Sequence, residues 1–172
     1  MGRQIGPLLI ATLALSMASC GGSSDEPPER EGPQITKAAL IERADAICAR
    51  DQARVSARLA DLPKPRRSVP IGALITPILE LNEAAIRAGV TRIEALGRPT
   101  TDAAELDEYL DERTTAANIL RSALTAARKE DTRALEAALR SYHRNQAQEA
   151  ATAFGFKVCG LGAGRVEPAV PQ

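Results

Sequence analysis

Aromatic residues are scarce in this 172-residue chain, which has two Phe, two Tyr and no Trp. A core without aromatic bulk has to be filled by Leu, Ile, Val and Ala, and the abundant Ala and Leu are strong helix formers. An excess of charge of either sign is also absent. Lys and Arg together number 22, as do Asp and Glu, so no net field draws the chain to nucleic acid or to an acidic surface. His143 is the only histidine, and any Ser/His or Cys/His catalyst would have to use it. No Gly-x-Ser-x-Gly supplies a nucleophile elbow, and no Cys-x-x-Cys supplies a redox or metal pair. Arg140 stands where a Glu-x-x-His motif ending at His143 would need its acid. Sustained alternation of β-branched and polar residues, the mark of a half-buried strand, is missing too. These absences point to an all-α domain, not an enzyme, with no metal and no cofactor. His143 is expected at the surface or its boundary.

The first feature present is an apolar run, Leu8 to Cys20, preceded by the single charge of Arg3 and ending in Met17-Ala18-Ser19-Cys20. It is shorter than the roughly 20 apolar residues of a membrane span. Small residues just before a cysteine are what a lipoprotein peptidase cuts, so residues 1–19 read as a lipoprotein signal peptide and Cys20 as the lipidation site. Met17 replaces the more usual Leu, and an ordinary secretory cut near Ala18 is the alternative. Residues 20–34 hold almost nothing to bury and read as a lipidated cysteine followed by a disordered tether. The implied address is the outer face of the cytoplasmic membrane. Expected partners are the membrane, through lipid on Cys20, and an envelope protein or cell-wall component, with no nucleic acid.

Residues 35–160 carry four helical patterns. Thr36 is placed to cap the first while Ile35 packs on Leu40 as a hydrophobic staple. Leu40, Ile41, Ala44, Ile47, Cys48, Val55, Leu59 and Leu62 then recur at helical spacing, with Asp45 among the charges of the opposite face, until Pro63 and Pro65 stop the helix. Pro63 to Pro70 is a stiff, basic connection, read as a solvated loop. The second pattern runs from about Pro70 to Leu96 on a stripe that includes Ile71, Ile75, Ile78, Ile86 and Ile93. Pro77 lies inside it, so the helix either kinks there or begins afresh with Thr76 as cap. Asp102 and Glu105 have capping-box spacing for the third helix, which runs to about Arg128 with Asp107, Glu108, Asp111 and Glu112 on a solvated face. Asp131 caps the fourth, whose stripe of Leu135, Ala138, Leu139, Tyr142, Gln146, Ala150 and Phe154 implies one helix as far as Gly155. Phe156 can then fold back as the apolar residue of a Schellman cap. Similar lengths and short loops imply an up-down four-helix bundle. Residues 161–172 form a flexible tail, because Gly160-Leu161-Gly162-Ala163-Gly164 follows no strand and Pro168 and Pro171 exclude a dinucleotide-binding helix.

Thr36 to Ile41, Ala44-Asp45-Ala46-Ile47-Cys48, the Pro77 helix ending at Ala95-Leu96, and Gly155-Phe156-Lys157-Val158-Cys159-Gly160 together resemble a family of small, uncharacterised actinobacterial lipoproteins. The resemblance implies the same address and fold, and no activity. Cysteine arithmetic implies a bridge independently: with Cys20 taken by lipid, Cys48 and Cys159 remain as a pair in an oxidising compartment. The expected function is therefore a non-catalytic envelope module that binds partners at its helical surface. A small-ligand carrier, with a site between the helices, is the alternative. The Ala-rich stripes favour close helix contact and an interior with no room for a metabolite, and an open apolar pocket above about 300 Å³ would instead favour the carrier.

Overall fold

The computed structural model describes residues 34–62 and 70–160. The segments expected to be signal peptide (1–19), lipidated Cys20 with its tether up to residue 33, basic connection (63–69) and tail (161–172) lie outside the described residues. In chain order the elements are β1 (Gln34–Ile35), α1 (Lys37–Ala60), α2 (Ile71–Glu94), β2 (Arg98–Pro99), α3 (Ala103–Arg128), α4 (Thr132–His143) and α5 (Ala147–Phe154). The fold is all-α, with a disulfide between Cys48 and Cys159. The only strands among the described residues are β1 and β2, two residues each, paired in parallel so that Gln34 faces Arg98 and Ile35 faces Pro99.

Local signals set most of the boundaries. The Thr36 hydroxyl accepts from the Ala39 amide at 3.3 Å, so α1 begins where its side-chain cap allows. Asp131 does the same for α4 through the Ala134 amide at 3.0 Å. Pro77 neither ends α2 nor starts a new helix: the helix continues through it, and the Thr76 hydroxyl, which does not cap, donates to the Gly72 carbonyl at 2.7 Å. Asp102 does not cap α3. Its backbone is left-handed, with φ of 58°, and its carboxylate instead accepts from Lys37 Nζ at 2.6 Å, joining the start of α3 to the start of α1.

The fourth helix is in fact two. At the break, the Asn145 carboxamide accepts from the Ala147 amide at 3.1 Å and donates to the Glu112 backbone carbonyl at 3.1 Å and to its carboxylate at 2.6 Å. Asn145 thus replaces a helical hydrogen bond with a side-chain turn and pins the break to α3. The break changes the phase of the buried stripe, leaving Gln146 exposed while Ala147, Ala150, Ala151 and Phe154 are buried. Beyond α5, Gly155 takes φ of 103° and the Phe156 amide donates to the Ala151 carbonyl at 2.9 Å, a Schellman ending. Phe156 folds back between Phe154 and Tyr109, with ring centroids 4.7 and 4.8 Å away.

Two buried clusters result. One surrounds the disulfide and includes Leu40, Ala44, Ile93, Tyr109, Phe154 and Phe156. The other lies between α2, α3 and α4, around Leu79, Ile86, Leu120, Leu135 and a series of α3 alanines. In the second, α2 and α3 approach so closely that a Cβ on Gly72 would stand 2.4 Å from the Ala127 carbonyl oxygen. α1 packs on α2, and α4 on α3, but α1 and α4 do not pack face to face.

Candidate functional site

A cleft of about 570 Å³ opens where α1 and α4 stay apart. α2 supplies Ile75, Ile78, Leu79 and Asn82, spaced so that one helical face lines the wall. Packed beside it, α3 supplies Arg113, Ala116 and Leu120 at the same kind of spacing. Ala116 projects little into the space, and this contributes to the volume. Leu59 of α1 and Leu139, Tyr142 and His143 of α4 form the flanks, while Asn145, Gln148, Cys159 and Gly160 close the end nearest the disulfide. The expectation of an interior without room for a metabolite is therefore corrected. Ile75 and Ile78, which read as core from their spacing, are only half-buried because they face this opening.

A smaller recess of about 40 Å³, large enough for a water molecule, adjoins the cleft and reaches Cys48, Tyr109 and Ile93. Asn82, Arg113, Tyr142 and Cys159 line both spaces and so mark their junction. Among the described residues the cleft lining contains no carboxylate, and its one permanent charge is the Arg113 guanidinium. Asp51, in the recess, is already paired with Arg92 at 2.6 Å. Burial raises the pKa of the Tyr109 hydroxyl, and the positive charge of Arg113 opposes that shift, as expected of two groups that sense each other. The Tyr109 hydroxyl donates to the Cys159 carbonyl at 3.4 Å.

His143 is exposed and sits in the cleft lining, edge-on to Tyr142 with ring centroids 6.2 Å apart. Both cysteines that line the cleft or its recess are in the disulfide, and the described lining residues include no Ser or Thr. Their chemistry is an apolar wall with one cation and several amides and ring edges, suited to holding an amphipathic molecule. Among the described residues, no group of three or more His, Cys, Asp or Glu is placed to hold a metal ion.

The bridge joins Cys48 of α1 to Cys159 at an S–S distance of 2.06 Å, with the Cα atoms 5.1 Å apart. Cys20, the expected lipidation site, lies outside the described residues. Asp45 was missed in the sequence, where it counted as one charge on a solvated face. Its carboxylate accepts from the amides of Lys157, Val158 and Cys159 at 3.0, 2.9 and 3.0 Å, holding the terminal segment against α1. Gln52 adds a bond from its side-chain amide to the Val158 carbonyl at 3.1 Å. The available signal was position: Asp45 lies one turn before Cys48, and any segment that brings a cysteine to Cys48 brings free amides to Asp45. The acidic face of α3 is likewise partly engaged, because Asp107 forms a two-bond pair with Arg98 at 2.5 and 2.6 Å and Glu112 holds the α4–α5 break.

Comparison with known proteins finds no match: no family model fits the chain, and no curated protein or solved structure is similar to it.

Proposed function

We propose that this chain is a lipid-anchored envelope protein whose helical domain carries a small amphipathic molecule in the cleft between α1 and α4. The observation that carries this reading is the cleft itself. Its volume of about 570 Å³ falls within the roughly 300–1,000 Å³ of ordinary ligand sites, and its lining combines an apolar wall with a few polar groups, the usual composition of such sites. This moves the reading from a module that binds only at its surface to a carrier. In either case we read the role as non-catalytic: among the described residues of the cleft lining His143 has the Tyr142 ring beside it, and no Ser, Thr, free thiol or carboxylate shares that lining.

The address rests on the sequence: the Leu8 to Cys20 run, the lipidation site it ends on, and the resemblance of the two cysteine segments to small actinobacterial lipoproteins. No helix among the described residues is long and apolar enough to cross a membrane. The domain then stands at the outer face of the cytoplasmic membrane, where an apolar cargo can be handed between the bilayer and another envelope component.

The test is extraction of the protein from its native envelope, followed by mass spectrometry of bound small molecules. Wild type is expected to carry an amphipathic species in near-stoichiometric amount. Ile78→Trp, which fills the cleft from a half-buried position, is expected to lose it. Equal content in the two forms, or none in either, would count against the carrier.

A further inference from the structure

Four arginines are half-buried among the described residues: Arg87, Arg92, Arg98 and Arg113. Three of them are matched by carboxylates. Arg87 pairs with Glu83, Arg92 with Asp51 at 2.6 Å, and Arg98 with both oxygens of Asp107. Arg113 has no hydrogen bond or ion pair with any described residue, although it lines both the cleft and the adjoining recess. A guanidinium stays charged at any relevant pH, and partial withdrawal from water raises the cost of leaving it without an anion. The nearest acidic neighbour in sequence, Glu112, is committed to Asn145 and to the Gln146 amide.

We propose that the cargo is a single-chain amphiphile with a carboxylate head, and that Arg113 receives the head while the chain lies along the apolar wall. This deepens the carrier reading and rests on it. The described residues of the cleft lining include no acid, and their one cation stands at the junction with the recess, where Asn82 and Tyr142 can contribute polar edges. Leu59, Ile75, Ile78, Leu79, Leu120 and Leu139 form an apolar surface that suits a hydrocarbon chain. A planar fork of donors matches a carboxylate with two parallel bonds, which favours this head over an uncharged ester or alcohol. The head therefore enters first, and the chain runs from it toward the mouth.

The test uses the full chain with Cys20→Ser, so that the protein's own lipid cannot compete, and two fluorescent probes: dansyl-labelled undecanoic acid and its methyl ester. The acid is expected to bind at least about tenfold more tightly than the ester. Arg113→Gln is expected to weaken the acid by about the same factor while leaving the ester within about twofold, and Arg113→Lys to restore part of the loss. Ile78→Trp is expected to weaken both probes. If Ile78→Trp weakens both but wild type does not distinguish acid from ester, the carboxylate assignment fails and the carrier stands. If Ile78→Trp changes neither, the carrier reading fails with it. A lipidated wild-type protein that excludes the acid while Cys20→Ser takes it would show that the anchor's own acyl chain occupies the cleft, and would also overturn the assignment.

Discussion

The two ends of the domain solve the same packing problem with different materials. The disulfide end gathers Tyr109, Phe154 and Phe156, three of the chain's four aromatic side chains, and locks them beneath a covalent bridge and the Asp45 clasp. At the other end, Ala116, Ala117, Ala123, Ala126 and Ala127 bring α3 close to its neighbours. Small side chains bury little area each, so that end depends on close helix approach and cannot also fill the gap between α1 and α4. The difference shows how a domain this poor in aromatics holds an open cleft. The covalent bridge and the Asp45 clasp fasten one end, while the other is held by close helix approach and by ion pairs between α2 and α3 such as Arg121–Glu83 and Arg128–Glu80, which leave the gap between α1 and α4 open.

The largest expected effect comes from removing the fastening. Cys48→Ser with Cys159→Ser opens a loop spanning 111 positions and should lower unfolding free energy by about 4 to 5 kcal/mol on the chain-entropy account, read from denaturant midpoints. If the loss is nearer that of an ordinary core substitution, the comparison between the ends weakens. Asp45→Ala comes next. Three amides lose a charged acceptor, so about 2 kcal/mol should go, and the bridge should become easier to reduce because the terminal segment is no longer held to α1. Unchanged reduction kinetics would show that the bridge alone holds that segment.

At the alanine end, Gly72→Ala sharpens the comparison. Its methyl group would meet the Ala127 carbonyl at 2.4 Å, so α2 and α3 must separate, at a cost of about 1 to 3 kcal/mol, with little effect on the reduction rate of the bridge. The smallest effect is electrostatic. A hydrogen bond from Arg87 holds the Glu83 carboxyl below the usual carboxylate range; burial opposes this shift and Arg121 reinforces it. A group whose folded-state pKa is depressed contributes stability above its unfolded pKa and loses it as pH falls through the folded value. Glu83→Gln should therefore cost under about 1 kcal/mol at neutral pH, and the difference from wild type should vanish in acid.

What was legible in the sequence was local. Thr36, Asp131, Gly155 and Phe156 each act within one turn of themselves, and a short-range signal suffices for them. The pairing of Cys48 with Cys159 was legible from cysteine arithmetic, because an even pair has only one solution. Competition between local and distant partners was less so. Asp102 had the spacing of a cap but found Lys37, which lies beside it only in the folded chain. Asn145 carried a turn signal that the apolar stripe obscured, and its second anchor, Glu112, is on another helix. The cleft was hidden for a related reason: spacing shows which residues share a face, and Ile75 and Ile78 do share one, but it does not show whether another helix covers that face.

The central claim is that the molecule is closed around the disulfide and open to a ligand beyond it. Amide hydrogen exchange on the oxidised Cys20→Ser chain, with and without saturating dansyl-labelled undecanoic acid, tests it most directly. The account predicts that ligand slows exchange over 75–82, 113–120 and 139–148, while the amides of Lys157, Val158 and Cys159, already held by Asp45, stay protected and unchanged. Slowing confined to the disulfide end, or the same exchange everywhere with and without ligand, would contradict it.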